Sequence, residues 1–463
     1  MNARSLLLTF SLLLTVGIAV AQTPPTTLWA NNASTQWYDG QNTLFTLSTA
    51  EDLAGLSVLV AGGNAFTDKT ILIGSNIDLA AHLWTPIGVD LNAPFSGTMD
   101  GNGFAISNLF IVMPGEGFIG LFGRCTSATL SNIILQEVYI RTNDTAGSLA
   151  GSFATNSTMD NCHANGVDMV ATQYNIGGLV GELVDDSHML RCSSHGDVTG
   201  VNQVGGLLGT PFNLTSVIEC YSTGTVDAQY LAGGLIGFST FAFQPNRENT
   251  INNCYSRAAV TVVNGRAGGL VGGTDAQLII LNSYSTGTAT GAEFAGGLVG
   301  AVGSVSTTNN YWDVETSAHT DAVGGFTNAP QAVDITGRTT AEMKTEATVT
   351  LLNQNQPAMP WTIIPTLNDG YPVLASQVVA VPELHGAAAT ISVYPTLFTD
   401  NITVTSTEKL TSYSLLDVSG RTIQNGTLNG ANATITTPQL PAGTYVLLIN
   451  TRAGSVSKKV VKE

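Results

Sequence analysis

Gly177-Gly178-Leu179-Val180-Gly181 returns as Gly205-Gly206-Leu207-Leu208-Gly209, Gly233-Gly234-Leu235-Ile236-Gly237, Gly268-Gly269-Leu270-Val271-Gly272 and Gly296-Gly297-Leu298-Val299-Gly300. The copies begin 28, 28, 35 and 28 residues apart. Ile119-Gly120-Leu121-Phe122-Gly123 and Gly147-Ser148-Leu149-Ala150-Gly151 are weaker copies upstream. A second signature precedes each following pentapeptide by 13–15 residues: Asn161-Cys162-His163, Arg191-Cys192-Ser193, Glu219-Cys220-Tyr221, Asn253-Cys254-Tyr255 and Asn282-Ser283-Tyr284. Short apolar runs separated by Gly, Ser, Thr and Asn leave no room in a repeat for an amphipathic helix. Three short strands per repeat at this period predict one coil of a right-handed parallel β-helix, a solenoid; a propeller blade needs about 40 residues or more.

Coils stacked about 4.8 Å apart bring equivalent residues into ladders. Leu179, Leu207, Leu235, Leu270 and Leu298 are expected inside. The paired glycines Gly177, Gly178, Gly205, Gly206, Gly233, Gly234, Gly268, Gly269, Gly296 and Gly297 are expected to let the chain turn or adopt positive φ where a Cβ would clash with its neighbours in the stack. Cys162, Cys192, Cys220 and Cys254 read as buried, reduced thiols rather than disulfides or metal ligands. Tyr221, Tyr255, Tyr284 and Tyr311 share one position. Facing out they form an aromatic stripe able to stack on glycans; facing in they are core. The sequence leaves both open.

The 463 residues carry 33 acidic and 16 basic side chains, a net charge of −17, and no Lys between Lys69 and Lys344. That excludes an electrostatic footprint for nucleic acid. Arg4, an apolar run to Ala19 and the small-x-small Ala19-Val20-Ala21 read as an export signal over 1–21, cleaved between Ala21 and Gln22. No other segment holds 18 consecutive apolar residues, so no transmembrane helix is expected after processing. Residues 22–44 form an N-terminal segment, 45–375 the solenoid with its closing segment, and 376–390 a linker. From 391 to 463 short strands punctuated by Ser419-Gly420, Asn425-Gly426, Asn429-Gly430 and Ala453-Gly454 predict a small Ig-like β-sandwich. The expected class is all-β.

The GGL[VI]G pentapeptide with the NCY-type signature resembles the GLUG motif of bacterial surface proteins. Trp84-Thr85-Pro86-Ile87-Gly88 and Phe95-Ser96-Gly97-Thr98-Met99-Asp100-Gly101 resemble the stretch that opens such helices. Asn309-Asn310-Tyr311-Trp312-Asp313 and Asp369-Gly370-Tyr371-Pro372-Val373-Leu374 resemble the stretch that closes them. The last 73 residues resemble the type A C-terminal sorting domain of the type IX secretion system of Bacteroidetes. Val393-Tyr394-Pro395, Leu416-Asp417-Val418-Ser419-Gly420-Arg421, Leu440-Pro441-Ala442-Gly443-Thr444-Tyr445-Val446 and the closing Lys458-Lys459-Val460-Val461-Lys462 carry the likeness. Thr396-Leu397 departs from the family's Asn-Pro. The likeness makes Asp417, Gly420, Arg421, Gly443, Tyr445, Lys458 and Lys459 sorting-motif residues. It also makes the outer-membrane secretion machinery the partner of 391–463.

Catalytic signatures are scarce. HExxH, GxSxG and a phosphate-binding loop are missing. Asp185-Asp186 with nearby Ser194-His195-Gly196 lies within one coil, whereas glycosidic chemistry needs carboxylates facing each other across the sugar; a solvated turn is expected. Asp144-Thr145-Ala146 resembles an O-glycosylation site. No cofactor is expected, and calcium has only scattered turn Asn and Asp to suggest it. The sequence reads as an exported, surface-displayed or secreted, non-catalytic adhesive β-helix with an unnamed glycan or protein ligand. The alternative is a polysaccharide lyase or glycoside hydrolase on the same helix.

Overall fold

The computed structural model describes residues 24–115, 117–240, 248–328, 330–379, 391–395, 397–417, 422–441, 443–451 and 455–462. The export signal with Ala21 and Gln22, and the sorting-motif residues Gly420 and Arg421, lie outside them.

One coil runs Tyr174–Gly177, Val180–Val184, His188–Leu190 and Ser193–Gly200. The next repeats it as Asn202–Gly205, Leu208–Phe212, Ser216–Ile218 and Tyr221–Ala228. They pair in parallel, with Gly177 opposite Gly205, Val180 opposite Leu208, Met189 opposite Val217 and Ser193 opposite Tyr221. Four strands per coil replace the expected three. Stacking them yields parallel sheets of 11, 12, 6 and 4 strands, a β-solenoid.

The leucine ladder lies inside: Leu179, Leu207, Leu235, Leu270 and Leu298 are fully buried, and Leu121 and Leu149 extend it upstream. From Leu149 to Leu270 each Leu N–H donates to the leucine carbonyl one coil on, Leu207 to Leu235 at 3.0 Å and Leu235 to Leu270 at 2.9 Å, and Leu298 donates to the Ala322 carbonyl. None of the ten paired glycines adopts positive φ, which corrects that part of the expectation. The expected clash of a side chain with its neighbours in the stack is what the structure shows. A Cβ on Gly205 would lie 2.0 Å from the Leu208 carbonyl oxygen, and one on Gly206 2.1 Å from that of Gly234.

Positive φ falls on the residue before the cysteine or before the Ile133, Ser283 or Asn310 that takes its place: Asn132, Asn161, Arg191, Glu219, Asn253, Asn282 and Asn309, all between 51° and 54°. Asn tolerates this left-handed conformation because its short amide bonds locally. The amides also stack, Asn161 Nδ2 donating to Asn132 Oδ1 at 2.8 Å and Asn132 Nδ2 to Asp100 Oδ1 at 3.0 Å. All five cysteines are buried free thiols.

Four helices accompany this all-β architecture among the described residues. α1 (Ala50–Ala61) is capped by the Thr49 hydroxyl, which accepts from the Asp52 N–H. Its Leu53, Leu56 and Val60 are fully buried in one core with Leu47 and Ile71 of the first coils. It thereby shields the end of the stack, which a solenoid needs. At the other end α2 (Thr340–Met343), α3 (Glu346–Leu352), the antiparallel pair Trp361–Ile363 and Pro372–Leu374, and α4 (Ala375–Val379) form the closing segment. α4 spans the boundary expected at 376.

The tail forms one six-stranded, mainly antiparallel sheet. Ile402, Val404, Leu410, Leu415, Leu447, Ile449 and Val460 are fully buried there in a core separate from the solenoid's. A flat single sheet cannot hide such residues, so the sheet folds over itself. The register shifts between Thr405 and Leu410, and between Leu410 and Ser412, are the bulges that let a long strand bend.

Candidate functional site

The left-handed corner sets the parity. Cysteine turns into the core and the residue after it turns out, onto the 12-stranded sheet's outer face. There Tyr221, Tyr255 and Tyr284 stack nearly parallel, with centroids 4.9 Å and then 5.1 Å apart. The stripe faces out, yet the closing segment covers it: Tyr255, Tyr284 and Tyr311 are at most 5% exposed. Trp361 lies 5.4 Å from Tyr284, whose hydroxyl donates to the Pro372 carbonyl. Gln377 Nε2 donates to the Tyr255 hydroxyl at 2.7 Å. Arg338 stands 5.1 Å over the Tyr311 ring. Burial raises the Tyr255 and Tyr284 phenols, and burial with Asp313 pushes Tyr371 up to about 12. Of the two readings left open, the rings face outward from the coils but are packed under the closing segment, and only Tyr221 stays half-buried.

Tyr221 ends the stack at a cleft of about 100 Å³. Its ladder continues as Ser193, then His163, then Ile134. Asn161, Arg191 and Glu219 form one rim, Asn165 the other, and Ser376 and Gln377 the end wall. Nε2 of His163 lies 3.1 Å from the Asn161 amide oxygen and Nδ1 lies 2.8 Å from the Ser193 hydroxyl. The amide oxygen only accepts, so Nε2 carries the proton and Nδ1 accepts from Ser193. Burial lowers the His163 pKa, keeping the ring neutral. Arg191 pairs with Asp160. None of these groups except Tyr221 was singled out in the sequence as a site. The signal available was the change of residue type along one ladder, from Tyr to Ser to His.

A second polar cluster, also missed, lies on the four-stranded sheet. Glu182 Oε1 accepts from the Ser152 hydroxyl at 2.8 Å, and Thr210 Oγ1 donates to Asn175 Oδ1 at 2.8 Å beside it. Burial raises the Glu182 pKa, Asp144 adds to that, and Ser152, Arg124 and Asn175 oppose it. A carboxyl raised in the folded state stabilises below the unfolded value of about 4.3 and loses that contribution as pH rises through the folded value. Glu182→Gln is therefore expected to melt no higher than wild type at pH 4 and above it at pH 7–8. A melting difference independent of pH would contradict the assignment.

Asp185 and Asp186 occupy consecutive left-handed turn positions. Asp185 accepts from Asn213, while Asp186 lies 3.7 Å from His188 rather than beside His195. The Nδ1 of His195 meets the Thr223 hydroxyl at 2.6 Å. Thr145 is 7% exposed, which corrects the glycosylation reading, since a buried hydroxyl is not presented to a transferase. Among the described residues no three His, Cys, Asp or Glu converge.

In the tail the Tyr445 hydroxyl donates to the Pro441 carbonyl at 2.9 Å. Lys458 pairs with Leu447, Lys459 with Val446 and Gly443 with Lys462 on neighbouring strands. Lys462 is 8% exposed and its ammonium turns back onto Thr399 and Asp400. It is a packing residue, not the exposed contact its position suggests.

Residues 392–463 match the family described as secretion system C-terminal sorting domain. The tail is a sorting domain. The chain therefore carries a type IX secretion address and is destined for the cell surface or the medium. Part of the chain is similar to halomucin of Haloquadratum walsbyi, 32% identical over 159 residues. That match covers 32% of this chain and 2% of the relative's length.

Proposed function

We propose that the protein is a non-catalytic, surface-displayed or released adhesive solenoid of the GLUG-repeat kind, from a member of the Bacteroidetes, that holds glycans or matrix proteins. The sorting domain carries this reading: it delivers a rigid coil stack to the outside, where an extended surface of repeated ladders serves retention. We read the tail itself as Ig-like. The Tyr445 hydroxyl reaching the carbonyl four residues upstream is the kind of contact that ties a tyrosine corner in such sandwiches. The scattered carboxylates favour binding over chemistry, since Asp185 and Asp186 occupy a turn.

One observation favours the alternative, a carbohydrate-active enzyme. Glu182 is a half-buried carboxyl of raised pKa, the state a general acid needs. Glycan and matrix-protein arrays, run beside reducing-end and lyase-product assays on the same panel, separate the two. Retention without turnover is expected. Turnover abolished by Glu182→Gln would replace the adhesive reading with the enzymatic one.

A further inference from the structure

The outward ladder reads His163, Ser193, Tyr221, Tyr255, Tyr284 and Tyr311 along consecutive coils. Three tyrosines stack at about one coil spacing, and the stack stops where Ser193 replaces the next ring. Ser193 forms a floor 4% exposed between the imidazole of His163 and the free face of Tyr221. A water needs about 10–15 Å³ of such space, so a cleft of about 100 Å³ admits more than one solvent molecule.

We propose that this missing rung is a binding site for a neutral pyranose ring, which enters edge-on and continues the tyrosine stack over Ser193. The proposal rests on the glycan-binding reading and names its ligand class. The chemistry of the walls selects the class. One apolar wall, the Tyr221 face, suits the C–H face of a sugar, because the negative face of an aromatic ring attracts polarised C–H groups. Ile134 adds a second apolar surface, and polar groups line the remainder: Asn165, Ser193, Glu219 and Ser376 lie where ring hydroxyls would project. A purely aromatic guest would strip water from these groups without replacing their hydrogen bonds, which is costly. An anionic sugar would meet the Glu219 carboxylate with Arg191 already paired to Asp160 and His163 bonded in its neutral form.

The test is isothermal titration of the full chain with short oligomers of glucose, mannose and N-acetylglucosamine, with oligogalacturonate and tryptophan amide as contrasting probes. At least one neutral oligomer is expected to bind. Ser193→Tyr supplies the missing ring from the protein itself and should weaken that binding at least 10-fold without lowering the melting temperature. Tyr221→Leu removes the π face at similar bulk and should weaken it likewise, while Tyr174→Ala, at an exposed tyrosine elsewhere, leaves it unchanged. Binding unaffected by Ser193→Tyr overturns the site but leaves glycan adhesion standing. Binding of matrix protein alone, with no sugar bound, overturns the site and keeps the adhesive role. Preference for oligogalacturonate or tryptophan amide overturns the ligand class.

Discussion

Leu235→Asp is expected to abolish cooperative folding of the central coils. Leu235 is fully buried, with Leu207 and Leu270 above and below it in the ladder. Truncating such a leucine to alanine costs about 2–5 kcal/mol. Aspartate adds the desolvation of a charge with no partner, and burials of that kind supply the largest single-mutant losses. In a solenoid each coil contacts only its neighbours, so a defect in the middle severs the array rather than loosening it evenly. Urea unfolding followed by circular dichroism should show the single transition lost or split. Leu235→Met, which keeps volume and polarity, should cost less than about 1.5 kcal/mol. Acid should partly rescue the aspartate variant, because protonation removes the buried charge: its deficit should be smaller at pH 4 than at pH 7. An aspartate variant with wild-type unfolding would place this leucine outside the core.

The leucine and cysteine ladders were legible because a fixed period forces equivalent residues to stack, whatever the coil's cross-section. The glycine pairs were legible as places where a side chain would clash with the stack, as at Gly205 against the Leu208 carbonyl. Sequence does not show whether φ also departs from the usual range, and here it does not. The helix at Ala50–Ala61 was hidden because it is apolar nearly all round and resembles a buried strand. The tyrosine ladder was visible, but its accessibility was not. What covers it comes from Trp361 and Gln377, about a hundred residues downstream of Tyr255 and with no repeat relation to it. For the same reason the cleft beside Tyr221 was invisible: it exists only where the tyrosine run ends at Ser193 and the closing segment brings Ser376 and Gln377 against it.

Deleting residues 391–463 in the native host is expected to leave a folded solenoid that never reaches the surface or the medium. The solenoid and the tail have separate cores with no buried residue in common, so losing one leaves the other intact. The export signal read over 1–21 takes the chain only as far as the periplasm, and the sorting domain at 392–463 supplies the second address. The position of the cut matters. Ending the chain at 390 keeps α4 and the Gln377 bond to Tyr255, whereas ending it at 375 removes that bond and one wall of the Tyr221 cleft. Truncation at 390 should therefore yield protease-resistant periplasmic protein melting close to the full chain. Truncation at 375 should be equally retained but melt lower. Fractionation with surface proteolysis reads the location, and circular dichroism of the recovered protein reads the fold. If the chain ending at 390 appears outside at wild-type levels, the tail is not the address and acts as another adhesive module. If it is degraded in the periplasm, the solenoid depends on the tail for folding, and the independence of the two cores is refuted.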